Sequence, residues 1–511
     1  MKGSLSAIGA WESLSLIGID IGSTGTKIAA YSVEGKLLAS VYAAHTPLHP
    51  HAGAWEVDAE EVWRNAVTGM RQLVAMEAVK RDPPIGIGLS ASTREAFPVD
   101  ASGNPLGPCI MTADTRESGL EKPILSQYPP EKWFEFCGHL PERMDPTCRL
   151  LWWEKNRPDV MTKAKYFLGW GEYFSLRLTG RAVTDRSNAG RFFVYDFRTH
   201  DWSPERISQF KIRSEVLPEV EPWGKIIGPL RKEVSRQLGL HEDVQLGVGA
   251  NDAVCCVLGS GVSEIGTGCL ISGSWENILL PVSFSPPASK LIETGVSIGP
   301  FPGKASMLIY VLNPTGNAAM NMIREVVKFP VEETDPKLKA TGPGPGSVLA
   351  IPHVSGAIVP WVGGSKLRAA LMGLTLATTD VDVIKAFMES IAYDLHYTVT
   401  RLKEAGAKID TFRGVGGGIR SEWWTQLKAD LTMTPIDVVD QPELGTLGAA
   451  LLAGLALGKF SNLEQKADAF TKTSRRFTPD PERVKLYKER MEFYRSLIAD
   501  MLQYDWSRLA T

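Results

Sequence analysis

The sequence predicts an α/β protein of two domains, and three observations carry that prediction. The chain of 511 residues is too long for one hydrophobic core, so two domains of roughly 250 residues each are expected. Two turns of glycine and hydroxyl residues, Gly18-Ile-Asp20-Ile-Gly22-Ser23-Thr24-Gly25-Thr26-Lys27 and Ile271-Ser272-Gly273-Ser274-Trp275, each lie between apolar, strand-like runs. Strand, turn and helix then recur in the second half as in the first, consistent with two copies of one αβ unit.

The opening reads as a meander: apolar residues 16–19, the glycine turn, apolar 28–33, a second turn at Glu34-Gly35 and a third run over 37–42. Residues 58–79 carry apolar side chains at helical spacing behind Asp58, an expected N-cap with an acidic first turn. A strand over 85–90 follows. Between 100 and 220 the chain is rich in Trp, Arg and short turns, where insertions that shape a substrate pocket are expected. A strand over 244–249 leads to Asp252. Beyond it come the Gly-Pro loop at 341–346, a helix over 382–405, a short strand at 412–415, and Gly416-Gly417-Gly418 before the helix that carries Trp423 and Trp424. Residues 479–503 read as a charged, amphipathic helix.

A net charge of −3 gives no basic face for nucleic acid or an anionic membrane, and points to small-molecule chemistry. The six cysteines show no metal-ligand spacing, and Cys255-Cys256 are adjacent, so they read as reduced core thiols. No apolar run reaches the roughly 20 residues of a membrane helix, and the first 14 residues lack the apolar stretch of a signal peptide, so the cytoplasm is the expected location.

Glycine lets backbone N–H groups approach an anion, hydroxyls add donors, and Asp20 offers a hard oxygen to the magnesium ion that phosphates bring. Two such turns suggest two phosphate-gripping half-sites, although a lone glycine-rich loop often serves only to reverse a hairpin. Neither G-x-G-x-x-G nor G-x-x-x-x-G-K-[ST] fits them. Asp252, at the end of an apolar strand and before a small-residue helix, is either an N-cap or a general base for an attacking hydroxyl. Thr93-Arg94-Glu95 after the 85–90 strand is either a solvated loop or a grip on vicinal hydroxyls, and Asp114 with Arg116 is a second pair of that kind. Gly416-Gly417-Gly418 and Gly445-Thr446-Leu447-Gly448 suit close approach to a nucleotide or tight helix packing.

In this order the segments resemble the FGGY family of carbohydrate kinases, from about residue 16 to 487. Met144-Asp-Pro146-Thr-Cys-Arg149-Leu150-Leu-Trp152-Trp153-Glu-Lys155-Asn156 nearly fits one family signature, with Arg149 where Lys is usual and Trp153 in place of an aliphatic residue. Ala369-Ala-Leu371-Met-Gly373-Leu374 with Asp382-Val383, Ala386 and Glu389 approximates the second, Phe387 being the departure. The segments 416–430 and 445–452 resemble the family's adenosine-side motifs.

The resemblance implies two domains of ribonuclease-H/actin type, as in sugar kinases, actin and chaperone ATPases, flanking a catalytic cleft. Residues 1–14 would be a disordered lead-in, 15–260 the N-terminal, substrate-side domain and 261–511 the C-terminal, nucleotide-side domain. It implies ATP and Mg²⁺ as cofactors, with Asp20 toward the metal, Asp252 as general base, and Gly22, Ser23, Thr24 and Lys27 as the first phosphate turn. Gly273 and Ser274 would form the second turn, in preference to Gly266-Thr267, because Ser274 stands where the family layout requires relative to Asp252. Gly316, Gly417 and Gly418 would lie on the nucleotide side, and Thr93, Arg94, Glu95, Asp114 and Asp252 would bind substrate.

The Arg94-Glu95 pair is similar to glycerol kinases and to kinases of quorum-signal autoinducer, and the Gln-Met-His-Gly type of loop found in xylulose kinases is absent. Ser187-Asn188-Ala189-Gly190 with Tyr195-Asp196 looks closer to the autoinducer kinases, while Thr112 stands where glycerol kinases place a Trp. The implied activity is ATP-dependent phosphorylation of a hydroxyl on a small sugar or polyol, with no nucleic-acid or membrane partner and a homodimer as a possible assembly. The rival from another class is an ATP-binding clamp of the actin and chaperone type; a dinucleotide oxidoreductase fits the glycine spacing less well.

Overall fold

Apolar runs flanked by glycine turns become strands, and the burial of each strand follows its pattern. The computed structural model describes residues 14–283, 288–354, 356, 367–504 and 506, so the expectation for 1–14 falls outside it except at Leu14. Strands β1 (Ser15–Ile21), β2 (Gly25–Ser32) and β3 (Leu37–Ala44) form the expected antiparallel meander. β1 is apolar nearly throughout and buried on both faces, as a central strand must be, whereas β3 alternates half-buried and exposed residues along its length.

β4 (Pro84–Ala91) pairs with β1 in parallel, and β5 (Ile226–Pro229), β6 (Gln245–Gly247) and β7 (Ala250–Asn251) complete a seven-stranded sheet in the order β5-β6-β4-β1-β2-β3, with β7 also on β4. The strand expected over 244–249 is therefore split. Gly249 lies against the Leu89 backbone too closely for a Cβ, and the pairing resumes after it. Helix α1 (Ala59–Ala75) starts where expected, with Asp58 accepting from the Glu60 N–H, but Met76 is extended and a separate short helix Glu77–Arg81 follows.

A second seven-stranded sheet repeats the plan. Its strands are β8 (Gly266–Ser272), β9 (Glu276–Val282), β10 (Ser297–Pro300), β11 (Met307–Asn313), β12 (Ile409–Val415), β13 (Ile436–Val439) and β14 (Thr473–Phe477), in the order β10-β11-β9-β8-β12-β13-β14. β8 pairs antiparallel with β9 and parallel with β12, as β1 pairs with β2 and β4. The repeat inferred from two glycine turns is thus a repeat of sheet topology.

The chain divides into two units, and the division differs from a cut at residue 260. The first unit takes the chain up to Ser263 together with Gly299–Gly303 and Gln441–Thr471; the second takes Glu264–Ile298, Lys304–Asp440 and the chain from Lys472 on. The return of 441–471 has a steric basis. Helix α7 (Leu444–Ala456) is almost entirely small or aliphatic, and the bare Cα atoms of Gly18 on β1 and Gly88 on β4 let the Thr446 and Ala449 backbone lie directly on the strands. Gly448 gives the same close approach to Cys255 in helix α3 (Asp252–Gly259). Tight packing therefore accounts for the glycines at 445–448 better than ligand approach does.

The first unit also holds an aromatic-rich cluster between residues 96 and 217, including Trp133, Trp153, Phe167 and Phe193, which supports the turn-rich insertions. Here α2 (Pro146–Asn156) is capped by Asp145 and buries Arg149 completely. In the second unit α4 (Asn317–Val327), α5 (Asp380–Glu404), α6 (Glu422–Thr432) and α8 (Pro481–Met501) build the core. Among the described residues no helix is long and apolar enough to cross a membrane, and the six cysteines form no disulfide, five of them being buried.

Candidate functional site

In the first unit the chain turns from β1 into β2 through Gly22, Ser23 and Thr24, with the Gly22 N–H donating to the Gly25 carbonyl at 3.0 Å. Ser23, Thr24 and Lys27 stay at the surface, and Lys27 meets Glu443 at 3.4 Å. Asp20 pairs in register with Lys27, and Ser90 on β4 donates to its Oδ1 at 2.5 Å. Burial raises the Asp20 carboxyl above its ordinary value, against the pull of the Ser90 hydrogen bond and the Lys27 charge. Gly445 keeps space beside it, since a Cβ there would meet the carboxylate.

A desolvated carboxylate of this kind fits a divalent cation. Among the described residues no group of three or more His, Cys, Asp or Glu could enclose a metal, so an ion at Asp20 would take its remaining ligands from phosphate and water, the usual habit of Mg²⁺.

Asp252 opens α3, but it is not the cap. Asn251 fills that role, its side chain accepting from the Val254 N–H at 2.7 Å, and the Asn251 N–H is itself held by Ser187 Oγ at 2.9 Å. Ser187 Oγ in turn donates to the buried Asp185 at 2.5 Å, so the Ser187-Asn188 segment fixes the strand end that presents Asp252. The Asp252 side chain remains open to solvent, yet protein crowds it on the other sides. That desolvation, and then the charges of Asp20 and Glu95, push its carboxyl up to about 7. A carboxylate poised near neutrality and reachable by a ligand has the properties of a general base.

On the substrate side Glu95 is buried, accepting from Thr112 Oγ1 at 2.5 Å and from Ser92 Oγ. Arg94 pairs with Glu142 at 2.7 Å; burial works against its charge, but Glu142 more than offsets this. Thr93 is half-buried in the bend between Ser92 and Arg94. Asp114 differs from the others. It is fully buried and accepts from the Trp55 N–H at 2.7 Å and from the Arg116 N–H and Nε at 2.9 Å, and Arg116 continues to Glu56 at 2.7 Å. Its acceptor capacity is largely spent inside the protein, which makes Asp114 a brace for the loop rather than an open ligand.

Sequence reasoning missed Glu142, Ser90 and the support beneath that loop. Arg149 donates to the carbonyls of Ile110 and, at 2.9 Å, Met111, and pairs with buried Glu117 at 3.1 Å, so α2 anchors the segment bearing Thr112 and Asp114. The Arg149 departure from the signature marked the position but not its partner.

In the second unit the residues expected on the nucleotide side do come together. The β8–β9 turn is closed by the Gly273 N–H on the Trp275 carbonyl at 3.0 Å, and Ser274 is exposed at its tip, while Thr267 lies within the strand. The first N–H groups of α4, from Asn317 and Ala318, donate to the Gly273 and Ser274 carbonyls at 2.9 and 3.2 Å. Gly316 is buried where a Cβ would strike those same carbonyls. Gly416, at a φ of 93°, and Gly418 press against Ser272 and the turn, so both act by shape. Gly417 remains at the surface.

Beneath this turn lies an ion pair whose lysine falls within the 416–430 segment but whose pairing the sequence does not show. Lys428 on α6 is fully buried, bonded to Glu276 and to Ser272 Oγ at 2.7 Å each, and stacked over Trp424 with its ammonium 3.7 Å from the ring centre. Burial lowers the Lys428 pKa and Glu276 opposes that shift.

Comparison with known proteins adds the following. The family model described as the N-terminal domain of the FGGY family of carbohydrate kinases matches residues 15–259, and that for the C-terminal domain matches 322–457. A xylulose kinase of Staphylococcus epidermidis is 24% identical over 488 residues, covering 94% of this chain and 96% of the relative. A gluconokinase of Bacillus subtilis is 23% identical over 518 residues, covering 97% of each. Among solved structures, a xyloylose kinase from Brucella ovis superposes with a TM-score of 0.88 at 22% identity, over 94% of this chain and 98% of the other.

Proposed function

This chain belongs to the FGGY family of carbohydrate kinases, phosphotransferases that act on alcohol groups, and from that premise we propose that it moves the γ-phosphoryl group of ATP to a hydroxyl of a small sugar or polyol. The observation that carries the reading is Asp252: a solvent-open carboxylate at the start of α3, raised to about 7 in the company of Asp20 and Glu95. In this role Asp252 accepts the proton of the attacking hydroxyl. Asp20 would hold Mg²⁺, which when bound spreads the charge developing on the phosphoryl oxygens.

The two turns, at Gly22–Thr24 and Gly273–Ser274, would supply donors to the phosphates. Thr93, Arg94 and Glu95 would orient the hydroxyls, and Asp114 would keep their loop in place. Gly417 would face the nucleotide, with Gly316 and Gly418 shaping the turn that receives it.

A coupled assay of ADP release over ketoses, pentitols, tetritols and glycerol, with Asp252→Ala as the blank, tests this reading. A substrate-dependent rate abolished by the substitution is expected. Turnover that survives the substitution would remove Asp252 from the role. The rival reading, a nucleotide clamp without sugar chemistry, predicts that no polyol raises the melting temperature beyond ATP alone.

A further inference from the structure

The substrate side of the first unit has an unbalanced charge. Five carboxyl groups, Asp20, Glu95, Glu142, Asp145 and Asp252, act on one another or on the same neighbours there, although burial brings Asp145 and Asp252 up to about 7, so that these two carry about half a charge each at neutral pH. The cations among them are Arg94, Arg191, which is 6% exposed and acts on Asp252, Glu142 and His139, and Lys27, which acts on Asp20 but already meets a further carboxylate, Glu443, at 3.4 Å. Arg94 is already neutralised by Glu142 at 2.7 Å, and the Glu142 side chain is 47% exposed, so a ligand meets that carboxylate together with the guanidinium. Glu95 is fixed by the hydroxyls of Ser92 and Thr112, neither of which offsets its charge. His139 adds nothing at neutral pH, since burial and then the Arg191 charge bring it down to about 4.

Such a surface has acceptors in excess. Neutral hydroxyls donate to carboxylates and accept from a guanidinium, so a polyol satisfies both kinds of group. A sugar acid brings a carboxylate that would have to displace Glu142 from Arg94 or stand against like charge. Resting on the kinase reading above, we propose that this site selects uncharged polyhydroxy compounds, open-chain ketoses and alditols, and rejects aldonates of the same carbon skeleton. Among the relatives of this chain are kinases named for each kind of substrate, xylulose and gluconate, so family membership alone leaves the choice open.

The test uses matched pairs, xylitol with xylonate, ribitol with ribonate and glucitol with gluconate, plus xylulose. Binding to the full-length wild type is measured by calorimetry and turnover by ADP release. At least one neutral member should exceed its acid partner by about 100-fold or more, the scale expected for unfavourable like charges at a desolvated site. Glu142→Gln removes one carboxylate and frees Arg94, and should move the acid-to-neutral ratio toward the acid by about 10-fold. A panel in which no neutral member binds more tightly than its aldonate overturns the proposal, as does a ratio unmoved by Glu142→Gln. Asp252→Asn separates the two ideas. If it stays active while the neutral preference holds, the assignment of the base fails and the charge selection stands; if it is inactive while aldonates bind as well as polyols, the reverse is true.

Discussion

The two glycine turns share one topology and differ in what lies behind them. The first, between β1 and β2, is backed by carboxylates: Asp20 on the strand leading into it, with Asp252 and Glu95 acting on each other close by. The second, between β8 and β9, is backed by a lysine. Lys428 is buried with Glu276 and Ser272 below the turn, and the turn carbonyls are taken up by the first N–H groups of α4. A carboxylate in a desolvated site strains toward a cation or a proton, whereas a buried, fully bonded ion pair is a rigid support. The repeated topology gives the turn twice, and residues outside the turns give each its own charged surroundings.

That contrast can be broken in either half. Glu276→Ala would leave Lys428 buried and unpaired, so unfolding by denaturant should show a loss of about 3–5 kcal/mol. The double replacement Glu276→Leu with Lys428→Met should recover most of that stability, because apolar side chains of similar volume need no partner. An unchanged midpoint for Glu276→Ala would mean that the pair does not support the turn.

The opposite pattern is expected at Asp20. Asp20→Asn should lower turnover by roughly 100-fold or more, about 2.7 kcal/mol of transition-state stabilisation. Its melting temperature should hold or rise, since burial disfavours the charged form that the substitution removes. A fall in stability with turnover intact would reverse the assignment of chemistry to the first turn and support to the second.

A pH dependence probes the core of the second unit. Asp394 on α5 is fully buried, accepts from Tyr494 at 2.8 Å and is raised by burial to about 8. Its folded value lies above its unfolded one, so the native state holds the extra proton between the two. Stability should therefore decline as pH rises from about 4 toward 8, and be flat above. Asp394→Asn should remove much of that decline, read from melting temperatures at pH 5 and pH 8. A wild type equally stable at both values would refute it.

Much of this arrangement was legible in the sequence, for physical reasons that also mark where legibility stops. The meander, the long helix Asp380–Glu404 and the charged helix Pro481–Met501 follow from periodicity that local burial enforces. Asp20 and the turn at Gly273 and Ser274 could be found because strand ends and glycines are local signals.

The return of α7 to the first unit could not be found that way. It depends on Gly18 and Gly88 meeting a helix some hundreds of residues later in the chain, and each of those glycines also reads as an ordinary strand residue. Asp114 looked like an open ligand because its donors, Trp55 and Arg116, are brought to it by folding. Lys428 lies within the 416–430 segment, yet its burial was not legible there, since a lysine on a helix reads as solvated until its partner is known. That Asp252 is not the cap depends on a neighbour, Asn251, whose side chain fills it.

The central claim is that chemistry resides in the carboxylates of the first turn, with Asp252 as the base. Its most direct test is the pH dependence of kcat/KM for the best neutral substrate, from pH 5 to 9, in wild type and Asp252→Asn. The account predicts an acid limb near pH 7, where Asp252 titrates, with the rate falling about tenfold for each unit below it. It also predicts a residual rate in the variant that is lower by roughly 100- to 10,000-fold and lacks that limb. A variant that keeps both the rate and the limb would contradict it.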